Sequence, residues 1–338
     1  MRPRDIFINA LRRRPVPRPA TGTATSIVTV DLMEKVGVFF PQAHQHAEQM
    51  AALAAAGYTE LGFDNVMPLF SVWHESAALG CKVDWGEVNR MPDCREPLYK
   101  MGDRIGIPPD LLARPGCKVA LDALALLKKR YGDEIAVVGK VFGPWTLGYH
   151  VFGVQEFLIN TLLEPDAVKR AMAALKEVTV QFANAQIEAG ADALCLADHA
   201  TRDLCSPLAY RDFLKDIHQE LNERIRCPLI LHICGDTSDR ISYIRETGLP
   251  CFHFDSKVPA TTARELAGER LSLMGGTSNL RVIRAGSPEA VAHDVREKVR
   301  AGVDIIGPEC AVPLDAPYAN MKLLADQAKA CTVTRGEA

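Results

Sequence analysis

The chain alternates short apolar, β-rich runs with longer stretches of helical periodicity, which restricts it to α/β architectures built on a parallel sheet. The β-rich runs are TELGFD (59–64), AVVGKVFG (136–143), DALCLAD (192–198), PLILHIC (228–234), CFHFD (251–255), LSLMGG (271–276) and DIIGPE (304–309), with an eighth near PATGTATS (19–26). Between them, residues 165–189 carry Val168, Ala171, Met172, Leu175, Val178 and Phe182 at three- and four-residue steps, the pattern of a helix with one buried face. EAGADAL and RAGVDII repeat one helix-Gly-Asp-strand junction, with Gly190 and Gly302 suited to a left-handed helix end. Eight βα units predict a (β/α)8 TIM barrel with an N-terminal helical extension, occupying 1–338 as a single domain.

Bulk properties exclude several classes of function. Against 39 Lys and Arg stand 42 Asp and Glu, so no basic field draws in nucleic acid, and no apolar run reaches the roughly 18 residues of a membrane span. The opening MRPRDIFINALRRRPVPRP lacks the continuous apolar segment of a secretory signal, although its arginines leave a mitochondrial transit peptide open. Ten cysteines scattered at irregular spacing favour reduced thiols and a cytoplasmic setting over a disulfide framework.

In a barrel of this kind, the C-terminal strand ends face the active site. Here they read Asp64-Asn65, Phe142-Gly143-Pro144-Trp145, Asp198-His199, His232-Ile233-Cys234-Gly235, Asp255-Ser256-Lys257, Gly275 to Asn279, and Glu309-Cys310. Residues two apart on a strand point to the same side, so His232 and Cys234 can turn toward one point, and an imidazole beside a thiolate suits Zn2+. The pair alone fits a buried cysteine beside a hydrogen-bonded histidine better than a metal site. Cys310, on the same rim, completes a possible His-Cys-Cys set; three ligands leave a fourth position for substrate, the arrangement of a catalytic site. His44 and His46 sit in a helical stretch where i and i+2 side chains diverge, which predicts surface residues.

With these motifs the chain resembles the uroporphyrinogen decarboxylase superfamily, specifically its methylcobamide:coenzyme M methyltransferase branch. The resemblance runs through RRPVPRP, AALAAAGYTELGFDNVMP, ESAALGCKVDWG, VVGKVFGPWTLG, EAGADALCLADHATRDLCSPLAYRDFL, LHICGDT, GGTSN and AGVDIIGPECAVPLDAPYANMKLL. It implies a barrel whose zinc is held by a His-x-Cys pair and a distant cysteine, mapping onto His232, Cys234 and Cys310. It further implies transfer of a methyl group from methylcobamide, presented by a corrinoid-binding protein, to a small thiol, with coenzyme M first. Tetrahydrofolate and homocysteine are alternative acceptors, and a barrel that only docks the corrinoid protein is the non-catalytic alternative.

Other residues take their roles from position within that frame. Asp198 and Asp255 can orient His232, tune the metal's charge or fill its fourth site, or else cap neighbouring loops. Glu75, in WHESAALG, matches a glutamate of the corresponding helix in the family. Lys140, Arg202 and Lys257 are candidate partners for a sulfonate, and Asn279 is a further candidate for substrate binding. The porphyrinogen decarboxylases bind substrate carboxylates through an arginine-bearing stretch after the opening motif, where ATGTATSIVTVDLM has no arginine. A near match to the corrinoid-binding D-x-H-x-x-G signature, Asp216 to Leu221, replaces its glycine with leucine and lies in a helical pattern, so cobalamin is expected on another protein.

Overall fold

Eight short strands are all parallel and pair in the order β1-β8-β7-β6-β5-β4-β3-β2 in a computed structural model that describes residues 1–332. They are β1 (Ala20–Thr21), β2 (Asn65–Val66), β3 (Ala136–Phe142), β4 (Ala193–Ala197), β5 (Leu229–His232), β6 (Cys251–Phe254), β7 (Ser272–Thr277) and β8 (Ile305–Pro308). Helices follow each strand and cover the outside of the sheet, giving the expected (β/α)8 barrel. The expected domain end at residue 338 lies outside the described residues. Strands β3 to β8 are buried along their whole length, as a parallel sheet covered on one face by helices and filled on the other requires.

Most of the expected strands appear within a residue or two, but TELGFD does not. The helix Ala47–Thr59 runs into that segment, and the chain then turns at Gly62, with φ 74°, before β2 begins at Asn65. The long helix, Pro165–Glu188, buries the six residues that marked its face in the sequence. Gly190 and Gly302 adopt φ of 109° and 81° at the two repeated junctions.

Two features set the ends of the barrel. The N-terminal helix, Pro3–Leu11, buries Ile6, Phe7, Ala10 and Leu11, and Ser272 Oγ at the start of β7 donates to the Ala10 carbonyl at 2.8 Å, so this helix closes the N-terminal mouth. Among the described residues no strand ladder joins β1 to β2. One backbone bond, Asp64 N–H to the Thr21 carbonyl at 2.8 Å, crosses that seam, and side chains complete it: Asp64 accepts the Thr21 N–H and both Arg18 amino groups, at 2.9, 2.8 and 2.7 Å. Asn65 accepts from the Thr23 N–H at 2.9 Å and donates to the Thr23 carbonyl at 2.8 Å. Asp64 and Asn65, read in the sequence as rim groups of the active site, therefore hold the barrel closed.

Candidate metal centre

The end of β5 and the end of β8 bring together three candidate ligands, one imidazole and two thiols, the thiols 76 residues apart. His232 Nε2 lies 3.1 Å from Cys234 Sγ, which lies 3.0 Å from Cys310 Sγ. All three donor atoms fall within 4.8 Å of one another. The other ring nitrogen of His232, Nδ1, faces the His253 carbonyl at 3.3 Å. A carbonyl only accepts, so Nδ1 carries the hydrogen and Nε2 presents its lone pair to the cluster, the orientation a ligating imidazole needs. The hydrogen bond from Cys234 holds the Cys310 thiol well below its ordinary range, while Cys234 is pushed up. Donor chemistry and tautomer both suit Zn2+.

The backbone beside Cys234 depends on glycine. Gly235 has φ 82°, and a Cβ there would meet Thr201 Oγ1 at 2.3 Å. Its N–H donates to Asp255 Oδ2 at 2.8 Å, and the other oxygen of Asp255 accepts from the Lys257 N–H at 2.9 Å. Asp255 thus sits beside the cluster and braces its loop.

The three candidate ligands line a cavity of about 470 Å³ on the C-terminal side of the barrel, walled by Phe70, Trp73, Phe142 and Tyr149. Two cations reach this wall, Lys140 and Arg95; Lys140 is the buried one, with its ammonium 5.4 Å from the centre of the Phe142 ring. Burial pulls the Lys140 pKa down. His199 and His150 also line the cavity. Burial pushes His150 down to about 3, which leaves its ring neutral at pH 7.

The remaining expected site residues lie elsewhere. Asp198 is fully buried, but its carboxylate accepts the Thr146 N–H at 2.8 Å and meets His218 Nε2 at 3.0 Å; neither contact involves His232. Thr146 stands in the first turn of the helix Pro144–Phe152, whose N-cap is Gly143, so Asp198 supplies the capping oxygen that glycine lacks. Glu75 is also fully buried: one oxygen accepts the Phe142 N–H at 2.8 Å, the other has no partner, and desolvation raises its pKa to about 7. Arg202 and Lys257 are exposed outside the cavity wall, paired with Asp236 at 2.8 Å and Asp203 at 3.7 Å. Asn279 turns its amide to the carbonyls of Cys310 and Ala311, at 3.1 and 2.8 Å. His46 is exposed as expected, but His44 is buried, stacked 4.0 Å from Phe40. Its turn packs inward on the apolar side, which the divergence of the two histidines did not reveal.

The sequence pattern of the uroporphyrinogen decarboxylase (URO-D) family matches residues 2–331. The chain belongs to that family. Within URO-D, it is 32% identical over 308 residues to a methylated-thiol–coenzyme M methyltransferase of Methanosarcina mazei, covering 91% of this chain and 83% of the relative. It is 29% identical to the methylcobamide:CoM methyltransferase MtaA of Methanosarcina barkeri, covering 94% and 95%. A solved methyltransferase structure from Methanosarcina mazei superimposes with a TM-score of 0.94 at 28% identity, over 97% of this chain and 98% of the other.

The sequence reading of this URO-D chain missed His253 and undervalued Glu309. His253 is fully buried, its ring centre 4.5 Å from that of His232, and its Nε2 donates to the Pro308 carbonyl at 2.8 Å. Glu309 accepts the N–H groups of Asn279 and Ser256, at 2.8 and 3.0 Å. The inward position of His253 on β6 was the available signal for the first. Backbone donors leave no mark on neighbouring side-chain identities, so nothing comparable pointed to the second.

Proposed function

We propose that this chain is a methyltransferase that moves a methyl group from methylcobamide, carried by a separate corrinoid-binding protein, to the thiol of coenzyme M. The convergence of His232 Nε2, Cys234 Sγ and Cys310 Sγ in the wall of a cavity carries this reading. His232, Cys234 and Cys310 would hold zinc, which when bound would supply the Lewis acidity that favours loss of the proton from a thiol mostly protonated at neutral pH.

The chain's own residues supply the rest. His253 fixes the His232 ring through its carbonyl. Phe70, Trp73, Phe142 and Tyr149 exclude water around the reacting sulfur. Lys140 offers a positive charge at low dielectric to the sulfonate, where an ion pair is worth more than at the surface. The sulfur's electron pair forms the new S–C bond, and the pair of the broken Co–C bond stays on cobalt. A cavity of about 470 Å³ admits a small thiol but does not enclose a corrinoid, which would meet it from the mouth. The D-x-H-x-x-L segment cannot hold cobalt in this fold: it lies in the helix Asp216–Arg224, with His218 buried between Asp198 and Tyr210. The irregular scatter of ten cysteines along the sequence supports a reducing, cytoplasmic setting. Among the described residues, no helix is long and apolar enough to cross a membrane.

The test is to purify the protein, measure its zinc, and follow demethylation of free methylcobalamin by its absorption with coenzyme M, homocysteine or tetrahydrofolate. Stoichiometric zinc and fastest turnover with coenzyme M are expected. Absence of zinc, or unchanged zinc and rate in Cys310→Ala, overturns the mechanism; faster turnover with another acceptor reassigns the thiol.

A further inference from the structure

We propose that Glu309 is a positioning residue that sets the Cys310 sulfur against the His232–Cys234 pair, acting through Asn279; this rests on the zinc reading above. Glu309 directly follows β8, immediately precedes Cys310 and is buried. Its two oxygens point to different loops: Oε1 accepts the Asn279 N–H after β7, and Oε2 accepts the Ser256 N–H after β6. Asn279, held in this way, returns its side-chain amide to the Cys310 and Ala311 carbonyls. On the other side, Ser256 adjoins Asp255, which holds the N–H of Gly235, the residue after Cys234.

A continuous path therefore runs from Gly235 through Asp255, Ser256, Glu309 and Asn279 to Cys310. It links the backbones beside the two cysteines without passing through either sulfur. β5 and β8 end before Cys234 and Cys310; backbone bonds hold Glu309 N–H to the Thr277 carbonyl at 2.9 Å and Val312 N–H to the Ser26 carbonyl at 2.8 Å, and the side-chain path adds the contacts that bear on Cys310 itself. Metal ligands must be held within about half an ångström of their working geometry, and here the carboxylates provide that support. The chemistry is specific to an acceptor with two free oxygens. Glutamine in place of Glu309 would turn an NH2 group toward one of two N–H donors and lose that bond.

The experiment compares wild type, Glu309→Gln, Asn279→Ala and the double variant as purified proteins. Zn2+ affinity is measured by competition with a chromophoric chelator, and Co2+ substitution reports thiolate coordination by its absorption. Each single variant should bind Zn2+ about 10- to 100-fold more weakly, the usual cost of losing a partner that orients a metal ligand, with an altered Co2+–thiolate band. The double variant should lose less than the product of the two, because both act along one path. Lower thermal stability with wild-type Zn2+ affinity and an unchanged Co2+ spectrum overturns the proposal, as do independent effects that simply multiply. If Glu309→Gln does not fold, Asn279→Ala decides alone, since it keeps both bonds to Glu309. Wild type that binds no Zn2+ refutes the underlying zinc reading, whereas wild type that binds it beside indifferent variants refutes this inference only.

Discussion

Asp198 Oδ2 lies 3.0 Å from His218 Nε2, and both side chains are completely buried. The other nitrogen of His218 meets the Tyr210 hydroxyl at 2.9 Å, and the other oxygen of Asp198 caps the helix that begins at Pro144. Replacing Asp198 with alanine strands two buried partners at once. Asp198→Ala should lose about 3 kcal/mol of unfolding free energy while keeping its zinc. Denaturant unfolding with metal analysis checks this; loss of zinc at unchanged stability would instead place Asp198 in the metal site.

Cys310→Ala removes one of three candidate ligands, and its zinc affinity should fall further than the 10- to 100-fold expected for a supporting residue. Demethylation activity should vanish with the metal. Chelation of the wild type should do the same while far-ultraviolet circular dichroism persists, because the hydrophobic core is formed without the site. Unfolding on chelation would identify a structural metal and favour the docking-only barrel.

Lys140→Met keeps the length of the side chain and removes its charge. The kcat/KM for coenzyme M should drop by roughly 10-fold or more, the worth of a charge-assisted hydrogen bond, chiefly through KM. An uncharged thiol such as 2-mercaptoethanol should be used equally well by both proteins. Equal losses for both thiols would show that Lys140 supports the site without reading the anionic tail.

Glu75 supplies a pH signature. Its pKa is about 7 when folded, against 4.5 when free, so the unfolded chain gives up this proton first. Its contribution to stability is therefore full below pH 4.5 and is lost as pH rises through about 7. Glu75→Gln removes the titration, and the fall in stability between about pH 5 and pH 8 should shrink by up to roughly 3 kcal/mol. Thermal melts of both proteins across that range decide it; parallel curves would contradict the shift.

The barrel was legible in the sequence because parallel strands and amphipathic helices leave different periods in the order of apolar residues. β2 escaped because only Asn65 and Val66 form it, and two residues carry no period. The candidate ligand cluster was legible because its own side chains compose it. The roles of the buried acids around it were not. Asp198 and Glu309 were visible as strand-end acids, but their partners are the N–H groups of Thr146, Asn279 and Ser256 and a histidine 20 residues away, and none of these pairings has a spacing rule. Arg202 and Lys257 fit the rim by position, yet nearby carboxylates engage them outside the cavity.

The seam between β1 and β2 shifts a burden from backbone to side chain. Strands joined by a ladder tolerate most substitutions along the join, because each residue contributes the same N–H and C=O whatever its side chain. Here one backbone bond, Asp64 N–H to the Thr21 carbonyl at 2.8 Å, crosses the seam, and the rest of the join depends on the identities of Arg18, Asp64 and Asn65. Gly22 belongs with them, since a Cβ there would meet Asn65 Oδ1 at 2.0 Å. Four residues outside the candidate ligand set thus reinforce, beside the Asp64 N–H to Thr21 carbonyl bond, the join that makes the curled sheet a ring.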